Sequence, residues 1–319
     1  MVRYKQLGNT GLNVSTLSVG TWAIGGMNYG KVDRDSSIAA IRTMIDQGVN
    51  LIDTAPVYNA GNAERVVGEA IEGMRDKVIL CTKTALFNDP AQGGKPVKDG
   101  RYETIMELFK QSCENLKTDY IDIYLLHWPV FNVPVSECMR AMMDLKKAGK
   151  IGHIGVSNYS IAQIEEAQQY GDVEVIQPPY SMVDRSQEEI SKWSAEHGIG
   201  VMSYASLGAG ILTGRFRSLP DFDKNDLRLT FYDYFREPKF SKIMKLLETM
   251  DKVSQAHGGA NLSQVALNWS TQKDFIHTAV IGVSTPKHAL ENCAGMEWTL
   301  TDAEMAELDE AIAVMEKDA

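Results

Sequence analysis

Residues able to move a proton or hold a charge recur at one kind of place in this chain, directly after a short apolar run. Leu51-Ile52 is followed by Asp53, with Tyr58 in the loop beyond; Cys81-Thr82 is followed by Lys83; and the run at 121–126 leads into His127-Trp128-Pro129. A lysine at a strand end is desolvated and costly unless paired, and Asp53 is its natural partner. The pair reads either as an ion pair locking adjacent strands or as a device that activates a third group. Tyr58 is that group's candidate: a phenol of ordinary pKa, about 10, serves as an acid at neutral pH only where a cation such as Lys83 favours its phenolate. Alone, Tyr58 would read as surface packing and His127 as a satisfied core histidine. Their shared position favours chemistry instead, with a neutral imidazole donating to a carbonyl oxygen and orienting it. No second His or carboxylate stands at ligand spacing from His127, so no metal is expected. Ser157-Asn158, Gln177, Ser203-Tyr204 and Ser284-Thr285 end the remaining runs.

Such residues meet only if the runs are parallel strands sharing one end. Eight short apolar runs lie at 17–20, 49–52, 78–81, 121–126, 154–156, 175–176, 199–202 and 278–281. Each is nearly continuous rather than alternating, as in strands covered on both faces. Helical patterns at 36–47, 63–72, 104–117, 135–148, 160–170 and 186–197 separate them, and Gly48, Gly73, Gly149, Gly171 and Gly198 are expected at left-handed stop positions. Further helices are expected at 240–257 and 262–271, after Pro286, and over 301–315, the last capped by Thr301 with Glu304. The alternation predicts an α/β fold: a single (β/α)8 TIM barrel domain over 1–319, with an active site at the C-terminal strand ends. A hairpin of 4–7 and 12–14 around Asn9-Thr10-Gly11 would close the barrel bottom, and two extra helices would complete the fold. A Rossmann-type sheet is disfavoured, because the glycines from Gly20 to Gly26 and at Gly208-Ala209-Gly210 match its phosphate turn poorly.

The 319 residues carry 32 Lys and Arg against 42 Asp and Glu, a formal net charge of −10, which argues against nucleic acid or anionic membrane as the partner. A hydrophobic fraction of 44% supplies a sizeable core. Cys81, Cys113, Cys138 and Cys293 form no C-x-x-C pair and read as reduced, mostly buried thiols. The chain starts without an apolar signal core and has no stretch fit to span a membrane, so a cytoplasmic location is expected.

These segments resemble the aldo-keto reductases. The resemblance rests on Leu7-Gly8-x-Thr10-Gly11-Leu12, Gly20-Thr21-Trp22, Asp53-Thr54-Ala55-x-x-Tyr58 with Glu64 and Gly68-Glu69-Ala70, and Thr82-Lys83. It continues through Asp119-Tyr120-Ile121-Asp122, Leu125-Leu126-His127-Trp128-Pro129, Gly155-Val156-Ser157-Asn158 and Gln177-x-x-Tyr180. Tyr204-x-x-Leu207-Gly208-x-Gly210 and Ile281-Gly282-Val283-Ser284-Thr285-Pro286 with Glu291-Asn292 extend it over nearly the whole chain.

The resemblance implies an NAD(P)H-dependent oxidoreductase that reduces an aldehyde, ketone or sugar-derived carbonyl to the alcohol, or runs in reverse. Asp53, Tyr58, Lys83 and His127 would be its tetrad: Tyr58 the proton donor, Lys83 and Asp53 lowering its pKa, His127 orienting the substrate. Thr21, Trp22 and Asp53 would lie at the cofactor. Ser157, Asn158 and Gln177 would bind the nicotinamide carboxamide, Tyr204 would stack on the ring, and Ser206, Leu207, Gly208 and Gly210 would contact the pyrophosphate. Ser284, Thr285, Lys287, His288, Glu291 and Asn292 would meet the adenosine end, although Glu291 and Asn292 also read as a solvated helix face. NADP(H) is favoured over NAD(H) on Ser284, Lys287 and His288. Trp22, Tyr58, His127, Trp128 and Phe131 would face a small-molecule carbonyl or alcohol, and the aromatic-rich segment 216–235 would be either a lid or a subdomain with its own core. A regulatory module resembling the potassium-channel β subunits, and a sugar or alcohol dehydrogenase acting in the oxidative direction, are the alternatives.

Overall fold

Runs that are apolar on both faces need cover on both, and a closed parallel sheet inside a ring of helices provides it without leaving an edge. A computed structural model describes residues 2–25, 33–224 and 226–317; Gly26, the end of the glycine-rich turn considered above, lies outside them. The chain opens with an antiparallel hairpin of β1 (Tyr4–Gln6) and β2 (Asn13–Ser15). The barrel begins with β3 (Leu17–Gly20), β4 (Leu51–Asp53) and β5 (Ile79–Thr84), then departs through a second hairpin, β6 (Leu86–Asp89) and β7 (Lys95–Lys98). It resumes with β8 (Ile121–Leu126), β9 (Ile151–Ser157), β10 (Val175–Gln177), β11 (Gly200–Ser203) and β12 (Thr278–Gly282). The eight strands close in chain order, β12 pairing with β3, as the eight apolar runs predict.

Around them lie α1 (Arg34–Asp46), α2 (Asn62–Ala70), α3 (Tyr102–Leu116), α4 (Val135–Lys147), α5 (Ile161–Gln168) and α6 (Glu188–Glu196). After β11 come α7 (Leu227–Phe231), α8 (Lys239–Ala256) and α9 (Leu262–Thr271); after β12 come α10 (Pro286–Ala294) and α11 (Asp302–Lys317). The extra pair is α8 and α11, packed on each other, with Asp309 of α11 tied to Trp269 Nε1 of α9 at 2.6 Å and to Lys273 Nζ, just beyond α9, at 2.8 Å. Thr301 and Glu304 form the expected cap, the Thr301 N–H donating to Glu304 Oε2 at 2.8 Å.

Gly48, Gly73, Gly149 and Gly198 take the left-handed stop conformation, with φ between 68° and 96°. Gly171 does not: its constraint is space, since a Cβ there would meet Met143 Cγ at 2.6 Å. The second hairpin was not expected, because Pro90, Gly93, Gly94 and Pro96 break up any strand pattern between residues 86 and 98.

The first hairpin closes the N-terminal end of the barrel. Leu7 and Val14 are fully buried beneath Leu51, Cys81, Ile123, Leu125, Val175 and Met202 in one inner cluster. Asn9 N–H donates to the Gly198 carbonyl at 2.7 Å. Gly8 lies at φ 51°, where an added Cβ would stand 2.4 Å from Gly198 O and 2.5 Å from Gly200 N, all backbone. Gly8→Ala is therefore expected to cost about 2 kcal/mol or more. A lowered urea midpoint at unchanged slope would show it, and an unmoved midpoint would contradict this account of the floor.

The alternation of side chains along each strand places the site. Leu51, Cys81, Ile123, Leu125 and Val175 point inward, while Ile52 and Leu80 point out to the helices. Two residues further on from an inward residue the chain again points inward. Those positions are Asp53, Lys83, His127 and Gln177, all at the C-terminal end of the barrel.

Candidate active site

Lys83 is fully buried, and each of its three ammonium protons has an acceptor: Nζ donates to Asp53 Oδ1 at 2.7 Å, Asp53 Oδ2 at 2.8 Å and the Thr54 carbonyl at 2.8 Å. Register explains the match, since Asp53 lies opposite Cys81 in β4–β5 pairing and Lys83 follows two residues later on the same face. Burial is the largest influence and disfavours the ammonium, but Asp53, followed by Tyr58 and Cys81, together outweigh it and the lysine pKa is raised. The same Nζ stands 3.5 Å from the Tyr58 hydroxyl and 5.2 Å from its ring centroid. Gln177 reaches across the barrel and donates Nε2 to Asp53 Oδ1 at 2.8 Å.

Burial pushes the Tyr58 phenol up, Lys83 pulls it down, and Asp53 pushes it up again, leaving it above the ordinary value. The expectation that Asp53 would help lower this pKa is corrected here. A carboxylate repels a phenolate; what Asp53 does is hold the Lys83 ammonium in place and charged. Tyr58 consequently stays protonated at neutral pH, and a cation waits beside any charge that forms on its oxygen.

His127 packs edge-on against Tyr58, ring centroids 5.8 Å apart. It is buried, and its Nδ1 finds no hydrogen-bond partner among the described residues. Burial, then Lys83, then Lys98 hold its pKa well below the usual imidazole range, so the ring is neutral. A neutral ring carries one N–H to donate, which suits an uncharged acceptor such as a carbonyl.

A hydrogen-bonded chain continues from the tetrad. Ser157 Oγ donates to the Gln177 carbonyl at 2.8 Å, and Asn158 Nδ2 donates to Ser157 Oγ at 3.0 Å and to the His127 carbonyl at 3.1 Å. Tyr204 OH donates to Asn158 Oδ1 at 2.9 Å. Asn158 sits at φ 62°, a strained conformation that turns its amide into this network. Thr21 spends its hydroxyl on the Asp53 carbonyl at 3.0 Å, bracing β3 against β4.

Beyond Tyr204 the chain turns through Ala205, Gly208, Ala209 and Gly210, all at positive φ, with Ser206 buried between them. Leu207 is half-buried there. At the next strand Thr285 caps α10 by accepting from His288 N at 3.2 Å, and Ser284 Oγ lies 3.5 Å from His288 Nδ1. Lys287 is paired loosely with Glu291 at 3.8 Å. Asn292 is buried, so the solvated-face reading fails for it.

Around the mouth, Trp22 is 39% exposed and meets Phe231 edge-on at 6.3 Å. Phe216, Phe222 and Phe235 form a small aromatic group with centroids 4.9 to 5.4 Å apart. Phe235 and Tyr234 belong to the large cluster between barrel and helices, and Phe216, Phe222 and Tyr232 pack on it, so these aromatics are anchored to the main core rather than to a separate one, and Phe231 reaches Trp22 from the same segment. Phe131, expected to wall the site, is 86% exposed in a loop whose Asn132 is bonded to Asp99 at 2.7 Å. Lys98, at the end of β7, stands 4.7 Å over the Trp128 ring. It follows no apolar run, so nothing in the sequence pattern pointed to it.

The pattern of the aldo/keto reductase family matches residues 16–313. The chain is 36% identical to the aldo-keto reductase YhdN of Bacillus subtilis (strain 168), over 97% of this chain and 93% of that one. It is 34% identical to the NADH-specific methylglyoxal reductase of Escherichia coli (strain K12), over 96% and 98%. Among solved structures it superposes on the glycerol dehydrogenase AKR11B4 from Gluconobacter oxydans with a TM-score of 0.87, 30% identity and coverage of 99% and 95%. An aldo/keto reductase from Klebsiella pneumoniae in complex with NADP and acetate gives a TM-score of 0.72 at 28% identity, covering 95% and 93%. The chain therefore belongs to the aldo/keto reductase family and is an NAD(P)-dependent oxidoreductase. Among the described residues, no helix is long and apolar enough to cross a membrane.

Proposed function

We propose that this chain, acting as one domain, reduces a small aldehyde or ketone to its alcohol, with Tyr58 as proton donor and Asp53, Lys83 and His127 as its supporting groups. The observation that carries the reading is the Tyr58 hydroxyl, 3.5 Å from a buried ammonium whose protons are already bonded to Asp53 and Thr54. The residues suit a dinucleotide. Positive φ at Ala205, Gly208, Ala209 and Gly210 bends this loop tightly, with the Gly208 and Gly210 N–H groups closing on the Ala205 and Leu207 carbonyls at 2.8 and 3.0 Å, and the small side chains let a pyrophosphate approach the backbone closely. Among the described residues, nothing lies within 4 Å of where a Cβ on Gly210 would stand. Ser157, Asn158 and Gln177 present amide and hydroxyl groups for a carboxamide, with Tyr204 beside them, while Ser284, Thr285, Lys287, His288 and Glu291 lie at the adenosine end.

Bound NADPH, or NADH in its place, supplies a hydride to the carbonyl carbon. His127 donates to the carbonyl oxygen and orients it over the mouth. Charge growing on that oxygen draws the Tyr58 proton, and Lys83 stabilises the phenolate left behind. Lys83 can do so because Asp53 and Thr54 fix it and Gln177 fixes Asp53. Trp22 and Trp128 would flank the substrate. Four free thiols support the reading of a reducing, cytoplasmic location.

The test is to titrate the protein with NADPH and NADH by quenching of its five tryptophans, then assay an aldehyde and ketone panel across pH. Reduction should be flat from about pH 6 to 9, because Tyr58 stays protonated. Alcohol oxidation needs the phenolate and should climb through that range. Tight cofactor binding without turnover on any carbonyl would favour a regulatory module instead, and no binding of either nucleotide would overturn the proposal.

A further inference from the structure

The second hairpin places a charge at the mouth that the proton-transfer machinery does not use. Lys98 ends β7 with its Nζ 4.7 Å over the Trp128 ring, next to His127, and is close enough to help depress the His127 imidazole. No carboxylate lies within ion-pair distance of Lys98 among the described residues. The nearest acid in sequence, Asp99, is turned away and fully engaged: its carboxylate accepts from Arg101 Nε at 2.9 Å, Thr104 Oγ1 at 2.9 Å and Asn132 Nδ2 at 2.7 Å. Its N–H donates to the Ala85 carbonyl at 3.0 Å, which pins the end of the hairpin against the strand that carries Lys83. Lys98 is thus held at a fixed point on the rim, exposed, charged and uncompensated.

We infer that Lys98 is a specificity-determining residue, and that the substrates handled best are short carbonyl compounds bearing an anionic group, a carboxylate or a phosphate, at the end away from the carbonyl. With the carbonyl oxygen at His127 and Tyr58, the rest of a small substrate extends outward past Trp128, where Lys98 is the first cation it meets. The ion pair forms at the rim, partly solvated, and steers and holds the substrate without taking part in hydride or proton transfer. The inference rests on the carbonyl-reductase reading.

Its test compares matched pairs in the NADPH-loaded enzyme: succinic semialdehyde against butanal, and glyceraldehyde 3-phosphate against glyceraldehyde. The quantity read is the ratio of kcat/KM for the charged member to that for the neutral one. Lys98→Met keeps an unbranched stem on the Trp128 ring and removes the charge. It should lower the ratio about fivefold, the size of one partly screened ion pair, through KM rather than kcat. Lys98→Arg should restore it, Lys98→Glu should push it below the Met value, and the wild-type ratio should fall as potassium chloride is raised. A shift in only one pair identifies which anion is meant. Turnover with a ratio unmoved in Lys98→Met and by salt would show that Lys98 only packs on Trp128, overturning this inference alone. No turnover on any of the four aldehydes, with cofactor bound, would overturn the reductase reading beneath it.

Discussion

Tyr58→Phe should leave a folded protein that binds its dinucleotide as before and reduces carbonyls about 10²- to 10⁴-fold more slowly, the range expected for a lost general acid. The substitution removes one oxygen. The ring remains, and with it the edge-on contact to His127 at 5.8 Å. Lys83 loses only the longest of its four contacts and keeps both Asp53 oxygens and the Thr54 carbonyl. The cost in stability should accordingly stay below about 1 kcal/mol, which separates chemistry from folding. Tryptophan quenching reports the cofactor, steady-state kcat the chemistry, and a urea midpoint the fold. Retained turnover would remove Tyr58 from the role of proton donor.

Lys83→Met is expected to be worse in a different way. It orphans a buried carboxylate: Asp53 keeps the Gln177 donor at 2.8 Å but loses its counter-charge. Breaking a buried pair from one side typically costs about 3–5 kcal/mol. The deficit should also depend on pH. In the variant the Asp53 carboxyl, buried without its cation, has its pKa raised above the unfolded value of about 3.9. The unfolded chain then ionises before the folded one does, so the penalty is full at neutral pH and shrinks as pH falls towards the unfolded value. Urea midpoints of variant and wild type at pH 7 and pH 5 measure it, and a gap that fails to narrow would contradict the orphaned-charge account. Pairing Lys83→Met with Asp53→Asn should recover most of the stability and none of the reduction. This keeps the experiment readable if the single variant does not fold.

Much of this arrangement was legible because buried parallel strands carry their signal locally. An apolar run ends where its strand leaves the barrel, and the first polar inward residue announces itself; Asp53, Lys83, His127 and Gln177 were all visible in this way. What was hidden depends on long-range geometry. Thr54 acts on Lys83 through its backbone carbonyl, which no side-chain pattern encodes. Lys98 rides on a hairpin whose prolines and glycines resemble plain loop, and only the folded hairpin sets its ammonium over Trp128. The sign of the Asp53 effect on Tyr58 could not be read from residue types, since the same carboxylate helps a phenolate through Lys83 and opposes it directly. Trp128 and Phe131 looked equivalent in sequence, yet Trp128 lies beneath the Lys98 ammonium while Phe131 is largely exposed.

The packed floor has a consequence for the route of protons in a catalytic cycle. With Leu7 and Val14 sealed beneath the inner cluster, the floor formed by the described residues is closed, and the Tyr58 hydroxyl lies at the opposite end, toward the mouth. A newly made alcohol leaves by that same opening. On the reductase reading, the proton that recharges Tyr58 would therefore arrive from the same end of the barrel by which the alcohol leaves.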